Sequence, residues 1–265
     1  MKKIIFFLFF TTSFFAQEVT FKYKFTTNFS FDKATTTIDF TMQQNGDAAI
    51  IDTDNITDSK QFKYHNEITL LKASDSICAY NVNDQGFLFL AKNKHYKDYR
   101  NNMQILHDIS FRGSAYLEDN IDIFNWELLN EKDTLIANFK CKKAITKFRG
   151  REYTAYYSNE IANHGGPWKF DGLPGFILKV DSKDGYVNIE PTAIIINNNE
   201  DKVLKNPFLG KKTILFKDLA AIVIEKEKKA VAKRKADAGG NLINAKFGPH
   251  EGIEDIGLNG TRVYE

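Results

Sequence analysis

Between Val19 and Ile196 the chain is dominated by a period of two, with apolar residues on one side of each segment and polar residues on the other. Phe21, Tyr23 and Phe25 alternate with Lys22, Lys24 and Thr26, and Thr35 to Phe40 continues in the same manner. Such alternation describes antiparallel strands with one dry face and one wet face. Turn residues punctuate the pattern at Asn45-Gly46-Asp47, Asp84-Gln85-Gly86, Arg149-Gly150 and Asp184-Gly185. The spacing predicts further strands at Ala48–Ile51, Phe62–Leu71 (with a short helix as the alternative there), Ser76–Val82, Phe87–Leu90, Tyr96–Arg100, Gln104–Phe111 and Ile123–Leu129. It then predicts one long strand from Thr134 to Phe148, followed by Glu152–Tyr157, Phe176–Asp181 and Val187–Ile196. Many strands at short spacing, with no repeat of fixed period, predict a mainly β fold: a large antiparallel sheet, curled or opened out from a β-barrel.

The pattern changes at Asn197-Asn198-Asn199 and again at Asn206-Pro207. From Lys217 to Ala236 the apolar residues Leu219, Ile222, Val223 and Ala230 recur at helical spacing among many lysines, and Gly239-Gly240 ends the run. This predicts one basic C-terminal helix, followed by a Gly-rich, weakly apolar tail over 241–265 with little to order it. The expected organisation is thus a leader over 1–16, a β domain over 17–200 and a C-terminal segment over 201–265.

One stretch departs from the alternation. Ile161 to Val180 holds four of the chain's 16 glycines and two of its five prolines, with Trp168, Phe170 and Leu173 among them. Glycine and proline at this density specify one backbone path, not a slack connector. Gly166, Pro167, Gly172, Pro174 and Gly175 then shape a tight turn feeding the strand at Phe176. On one reading Trp168, Phe170 and Leu173 drop onto the open side of the sheet as a plug. On the other, the same loop rims a cavity, and Trp168, Phe170, Leu173 and His164 meet an apolar small molecule, a lipid or a peptide. The readings differ in whether the space beneath the loop is full.

The first residues add a location. Lys2 and Lys3 precede a mostly apolar run from Ile4 to Phe15, and Ala16-Gln17 follows. A short charged start, an apolar run below the ~20 residues of a membrane span and a small residue before a polar one predict a secretory signal peptide. With no cysteine near the cleavage point, a lipid anchor there is not expected, and no later apolar stretch is long enough to span. Loss of the two lysines takes the formal charge from +2 to 0, so nothing electrostatic favours nucleic acid. Cys78 and Cys141 are the two cysteines. A disulfide between them and two separate buried thiols both remain open, since sequence separation says nothing of Cα approach.

The motifs W-E-L-L-N-E at Trp126 to Glu131, F-R-G-R-E-Y-T-A-Y-Y-S-N-E-I at Phe148 to Ile161 and G-P-W-K-F-D-G-L-P-G-F-I-L at Gly166 to Leu178 occur in this order. In them the chain resembles the GLPGLI family of secreted bacterial proteins, whose hexapeptide stands here as Gly172-Leu173-Pro174-Gly175-Phe176-Ile177, with Phe176 replacing a leucine. The resemblance implies export in a Gram-negative bacterium, to the periplasm or beyond, and brings no biochemical activity with it.

Reactive chemistry is sparse. His65, His95, His107, His164 and His250 are scattered, with no His or Cys spacing for a metal and no nucleophile elbow or phosphate-cradling loop. No cofactor is expected. Arg149 and Arg151 flank a turn, where they would either grip an anion or pair with a local carboxylate. The basic helix would face solvent or lie against anionic headgroups or an acidic partner. These residues favour an exported, non-catalytic binding or carrier protein. The alternatives are an interaction protein of the cell envelope without a pocket, and a hydrolase whose site would need His164 beside a carboxylate.

Overall fold

A computed structural model of the chain describes residues 18–28, 35–53, 70–73, 76–79, 94–108, 115–197, 203–219, 246–249 and 261–263, with further helical positions at 221, 222, 225 and 229. The leader over 1–16, the strand expected at Phe87–Leu90 and most of the predicted helix lie outside these residues.

The fold is mainly β. The first three strands are β1 (Glu18–Asn28), β2 (Thr35–Gln44) and β3 (Ala48–Thr53). A small ribbon of β4 (Leu70–Ala73) and β5 (Ser76–Ala79) pairs apart from the main sheet. Then come β6 (Lys94–Asp98), β7 (Met103–Asp108), β8 (Ala115–Asn120), β9 (Glu127–Ile136) and β10 (Phe139–Phe148). The set continues with β11 (Arg151–Ser158), β12 (Phe176–Ser182), β13 (Val187–Asn197) and β14 (Thr213–Leu215). Near the C-terminus, where composition gives little to order the chain, β15 (Lys246–Pro249) and β16 (Thr261–Val263) pair antiparallel in a second small ribbon.

Twelve strands form one open sheet in the order β14-β8-β7-β6-β3-β2-β1-β13-β12-β11-β10-β9. All neighbours are antiparallel except β14, which runs parallel to β8. The predicted hairpin at Asn45 forms as expected: Asn45 Oδ1 accepts from the Asp47 and Ala48 amides at 2.9 and 2.8 Å. The expected single strand from Thr134 to Phe148 is instead two strands. Ala137 and Asn138 both take positive φ, 49° and 70°, and fold β9 back onto β10 with Ile136 opposite Phe139. Two successive left-handed residues are the geometry of a type I′ turn. β8 is a second departure, since its short, acidic segment AYLEDN shows no clear alternation.

The sheet curls enough to bring its far ends together. Asp119 on β8, second in the order, accepts from Nη2 of Arg149, at the end of β10, eleventh in the order, at 2.8 and 3.0 Å. The main core lies in the hollow so formed. It gathers Phe21, Tyr23 and Met42 from β1 and β2, Tyr153 and Ala155 from β11, and Leu178, Val180 and Ile189 from β12 and β13. Each fully buried large side chain of this kind contributes roughly 1.5–3 kcal/mol through the hydrophobic effect.

The chain after β13 wraps one edge. Leu204 and Phe208 cover Ala48, Tyr96 and Ile105 on one face of the β3-β6-β7 wing. The segment then adds β14 to the edge and starts a helix at 216, whose Phe216 and Leu219 pack on Leu117. The helix thus begins one residue before the position predicted from sequence. Among the described residues, no helix is long and apolar enough to cross a membrane.

Candidate functional site

The segment 159–175, between β11 and β12, enters the hollow. Its backbone is held at both ends and in the middle by partners from distant strands. Gly165 O accepts from the Ile177 amide at 2.7 Å, a parallel bridge to the start of β12. Gln44 of β2 donates through Nε2 to the His164 carbonyl. The Trp168 amide donates to Tyr23 Oη at 3.1 Å, and Trp126 Nε1 donates to the Asp171 carbonyl at 2.7 Å.

The central fastening is Lys97 of β6, which is fully buried. Its ammonium has three protons and meets three oxygens: Gly166 O at 2.9 Å, Phe170 O at 3.0 Å and Asp171 Oδ2 at 2.9 Å. The match of donor count to acceptor count is what makes a buried ammonium tolerable. Burial pulls the Lys97 pKa down, and the Asp171 carboxylate pulls it back up in part. Asp171 Oδ1 is occupied by the Gly172 amide at 2.8 Å. Tyr99 Oη is buried next to this pair without a hydrogen bond of ordinary geometry. Burial and the Asp171 charge hold its pKa well above the usual phenol value.

The glycines of the loop have separate reasons. A Cβ on Gly175 would come within 2.5 Å of the Ser158 carbonyl oxygen, and one on Gly166 within 2.6 Å of Ile177 Cβ. At these two positions the backbone is packed too closely for any side chain. A Cβ on Gly172 would meet only the Trp126 ring, at an ordinary contact distance of 3.9 Å, but the residue sits at φ +84°, so there the requirement is conformational.

The residues named from sequence separate cleanly. Phe170 and Leu173 are buried in the core; the Phe170 ring lies edge-on to Tyr153 at 4.9 Å. They fill the hollow and face no solvent. Trp168 is half-buried, with its ring 6.0 Å from Phe25 and 5.3 Å from Phe170. Its φ is +48°. The Phe170 amide bonds Pro167 O at 3.0 Å, so Trp168 occupies the first central position of a tight turn where glycine is the usual residue. A bulky residue held in the left-handed region is strained by roughly 1–3 kcal/mol. His164 is exposed, with its ring 5.3 Å from that of Tyr99. Among the described residues it makes no hydrogen bond or ion pair with a carboxylate.

Arg149 and Arg151 are engaged internally: Arg149 with Asp119, and Arg151 Nε with Asp184 at 2.7 Å. The Arg149 guanidinium also lies 3.4 Å from the Phe216 ring centroid. Lys169, almost fully buried, lies 4.9 Å from the same ring and 3.5 Å from Asp119. Cys141 is a free thiol in the core, and burial followed by the nearby Glu160 charge pushes its pKa up to about 11. The Cys78 side chain lies outside the described residues. His95 is buried against Gln104 at 2.9 Å, and burial with the Lys97 and Lys169 charges lowers its pKa well below the usual value. Among the described residues, no three His, Cys, Asp or Glu side chains gather to hold a metal ion.

Sequence reasoning missed Lys97, Asp119, Lys169 and Asp171, which fasten the loop. Lys169 and Asp171 stand within the quoted motif as its polar letters, and the only signal available was their place between Trp168, Phe170 and Leu173.

No family model and no curated protein matches the chain. Two crystal structures of PNGF-II, in space groups C2 and P21, are similar over 76% of this chain, at 16% and 15% identity and a TM-score of 0.45. The chain spans 30% and 31% of the length of those two chains, a likeness in which no activity is at issue.

Proposed function

We propose that this is an exported, non-catalytic binding protein that holds an apolar or peptidic ligand at the rim of the curled sheet, against Trp168. The observation that carries this reading is the strained Trp168 backbone at φ +48° beneath a half-exposed indole. Strain of this kind collects at ligand clamps, where surrounding structure holds a residue in place. Here the Tyr23 hydroxyl, Phe25 and Phe170 do so. Phe170 and Leu173 support the rim from below without meeting the ligand. Export in a Gram-negative envelope, periplasmic or secreted, rests on the leader-like N-terminus and the likeness to GLPGLI proteins.

A second reading is an interaction protein of the envelope that works through its surface. It is favoured by the loop's own side chains filling the hollow and by the edge strand β9, which exposes Leu128 and Leu135. The hydrolase alternative has no such support, because its carboxylate partner for His164 does not appear among the described residues.

Native mass spectrometry of protein purified from its own envelope separates the first two readings. A co-purifying lipid or peptide that Trp168→Ala abolishes supports the rim. An empty chain in both proteins removes the binding reading in favour of the second. Because the ring is half-buried, Trp168→Ala costs about 2 kcal/mol of stability, below the ~3–5 kcal/mol of a core tryptophan, so the variant stays folded for this comparison.

A further inference from the structure

The segment 203–219 wraps the edge of the sheet with one side buried and the other exposed. Leu204, Phe208, Phe216 and Leu219 are the buried side. The exposed side carries Val203, Leu209 and Leu215, and Ile222 continues it into the helix. Four of the seven large apolar residues that the described surface leaves exposed thus fall within residues 203–222. Scattered single leucines are ordinary on a surface, but this concentration is not.

Leu209 is the extreme case at 87% exposure. It is held out by construction. The Lys211 amide bonds Phe208 O at 2.9 Å, closing a tight turn with Leu209 at its first central position and Gly210 at φ +78° in the second. A positive φ there is the requirement of a type II turn. The Phe208 amide is tied to Asn206 Oδ1 at 2.8 Å, and the Phe208 ring is buried against Tyr96 and Tyr116. The tip therefore stands on a fixed base.

Lysines flank this tip along the chain. From Lys202 to Lys217 the chain has lysines at 202, 205, 211, 212 and 217 and no Asp or Glu. Lys205, Lys211, Lys212 and Lys217 are all exposed. An apolar residue projecting from a turn flanked in the chain by exposed lysines matches an anionic interface: the lysines meet headgroup charge while the leucine enters the acyl boundary. An acidic protein would satisfy the lysines but leaves a lone projecting leucine without a pocket of its own.

We infer that the 203–212 turn is a peripheral docking site for an anionic phospholipid surface, with Leu209 inserted and Lys205, Lys211 and Lys212 on the headgroups. The turn packs on the outer face of the wing, opposite the face from which Lys97 reaches the loop, so docking leaves the Trp168 rim free. This site is independent of the rim reading and of the basic helix that follows it.

The test is co-sedimentation of the protein with phosphatidylglycerol–phosphatidylcholine vesicles and with pure phosphatidylcholine vesicles. Binding is expected to the first and not the second. Leu209→Ala should weaken it about tenfold, given ~0.8 kcal/mol per buried methylene and partial insertion. Lys211→Gln with Lys212→Gln should weaken it roughly thirtyfold, from ~1 kcal/mol per lysine near the surface. Each of these residues is exposed, and circular dichroism melts matching wild type confirm that the variants fold. Equal binding to both vesicle types, no binding to either, or variants that bind like the parent through the helix lysines would each overturn the proposal.

Discussion

At the scale of single residues, Lys97 fixes the loop's conformation. A buried ion pair is weak evidence of net stabilisation, but removing one partner leaves the other charge stranded. Lys97→Met would strip the Asp171 carboxylate of its ammonium partner, leaving it the Gly172 amide as donor, and would free the Gly166 and Phe170 carbonyls. The expected loss is about 3–5 kcal/mol in chemical denaturation. The double variant Lys97→Met, Asp171→Asn should recover part of it; if the two losses simply add, the pair is not coupled. This lysine was illegible in the sequence for a definite reason. In β6, K-H-Y-K-D, alternation places Tyr96 inward on a face shared with Lys94 and Asp98, and Lys97 outward with His95. The wing is covered on both faces, Tyr96 by Phe208 and Lys97 by the loop, so both are buried and the polarity rule gives no side.

Elements follow their turn chemistry, and that chemistry decides which were readable. Arg149-Gly150 and Asp184-Gly185 carry glycine at positive φ, whereas Asn45-Gly46-Asp47 is closed by the Asn45 side chain, and each joins the strands expected of it. Ala137-Asn138 makes the same kind of turn with no glycine, so the β9–β10 hairpin looked like one strand. The loop's glycine-rich shape was legible, whereas its fastening was not, since that depends on strands β2 and β6 more than sixty residues away. The Asp184 turn also makes a prediction about pH. Partial burial raises the Asp184 pKa, but hydrogen bonds from Ser182, Arg151 and the Tyr186 amide outweigh it, and the net shift is downward. A carboxylate with a lowered folded pKa contributes stability above its unfolded value, and that contribution is lost as pH falls through the lowered one. Urea midpoints measured from neutral pH into acid should therefore show a shallower acid decline for Asp184→Asn than for wild type. Parallel curves would mean that the turn's charge contributes nothing.

For the whole molecule, the decisive contact is the seam between β8 and β10, where Asp119, Arg149 and Lys169 surround Phe216. Two cations over one ring, in a partly water-excluded site, are worth about 2 kcal/mol or more together. Phe216→Ala removes this and the ring's packing on Leu117, for an expected total near ~4 kcal/mol. Hydrogen exchange should then rise in 203–219 and along β8 while β1 and β13 stay protected; a rise spread evenly over all twelve strands would show that the seam is not a separate unit. The sheet order carries one more consequence. β1, near the start of the chain, is flanked on one side by β2 and on the other by β13, with Glu18 opposite Asn197. A chain emerging from its N-terminus makes the β1–β2 hairpin early but leaves the other edge of β1 bare until nearly the whole domain has followed. So large a contact order makes folding slow and leaves a sticky intermediate in the interval. Any truncation before Val187 therefore leaves that central edge of β1 without its partner strand.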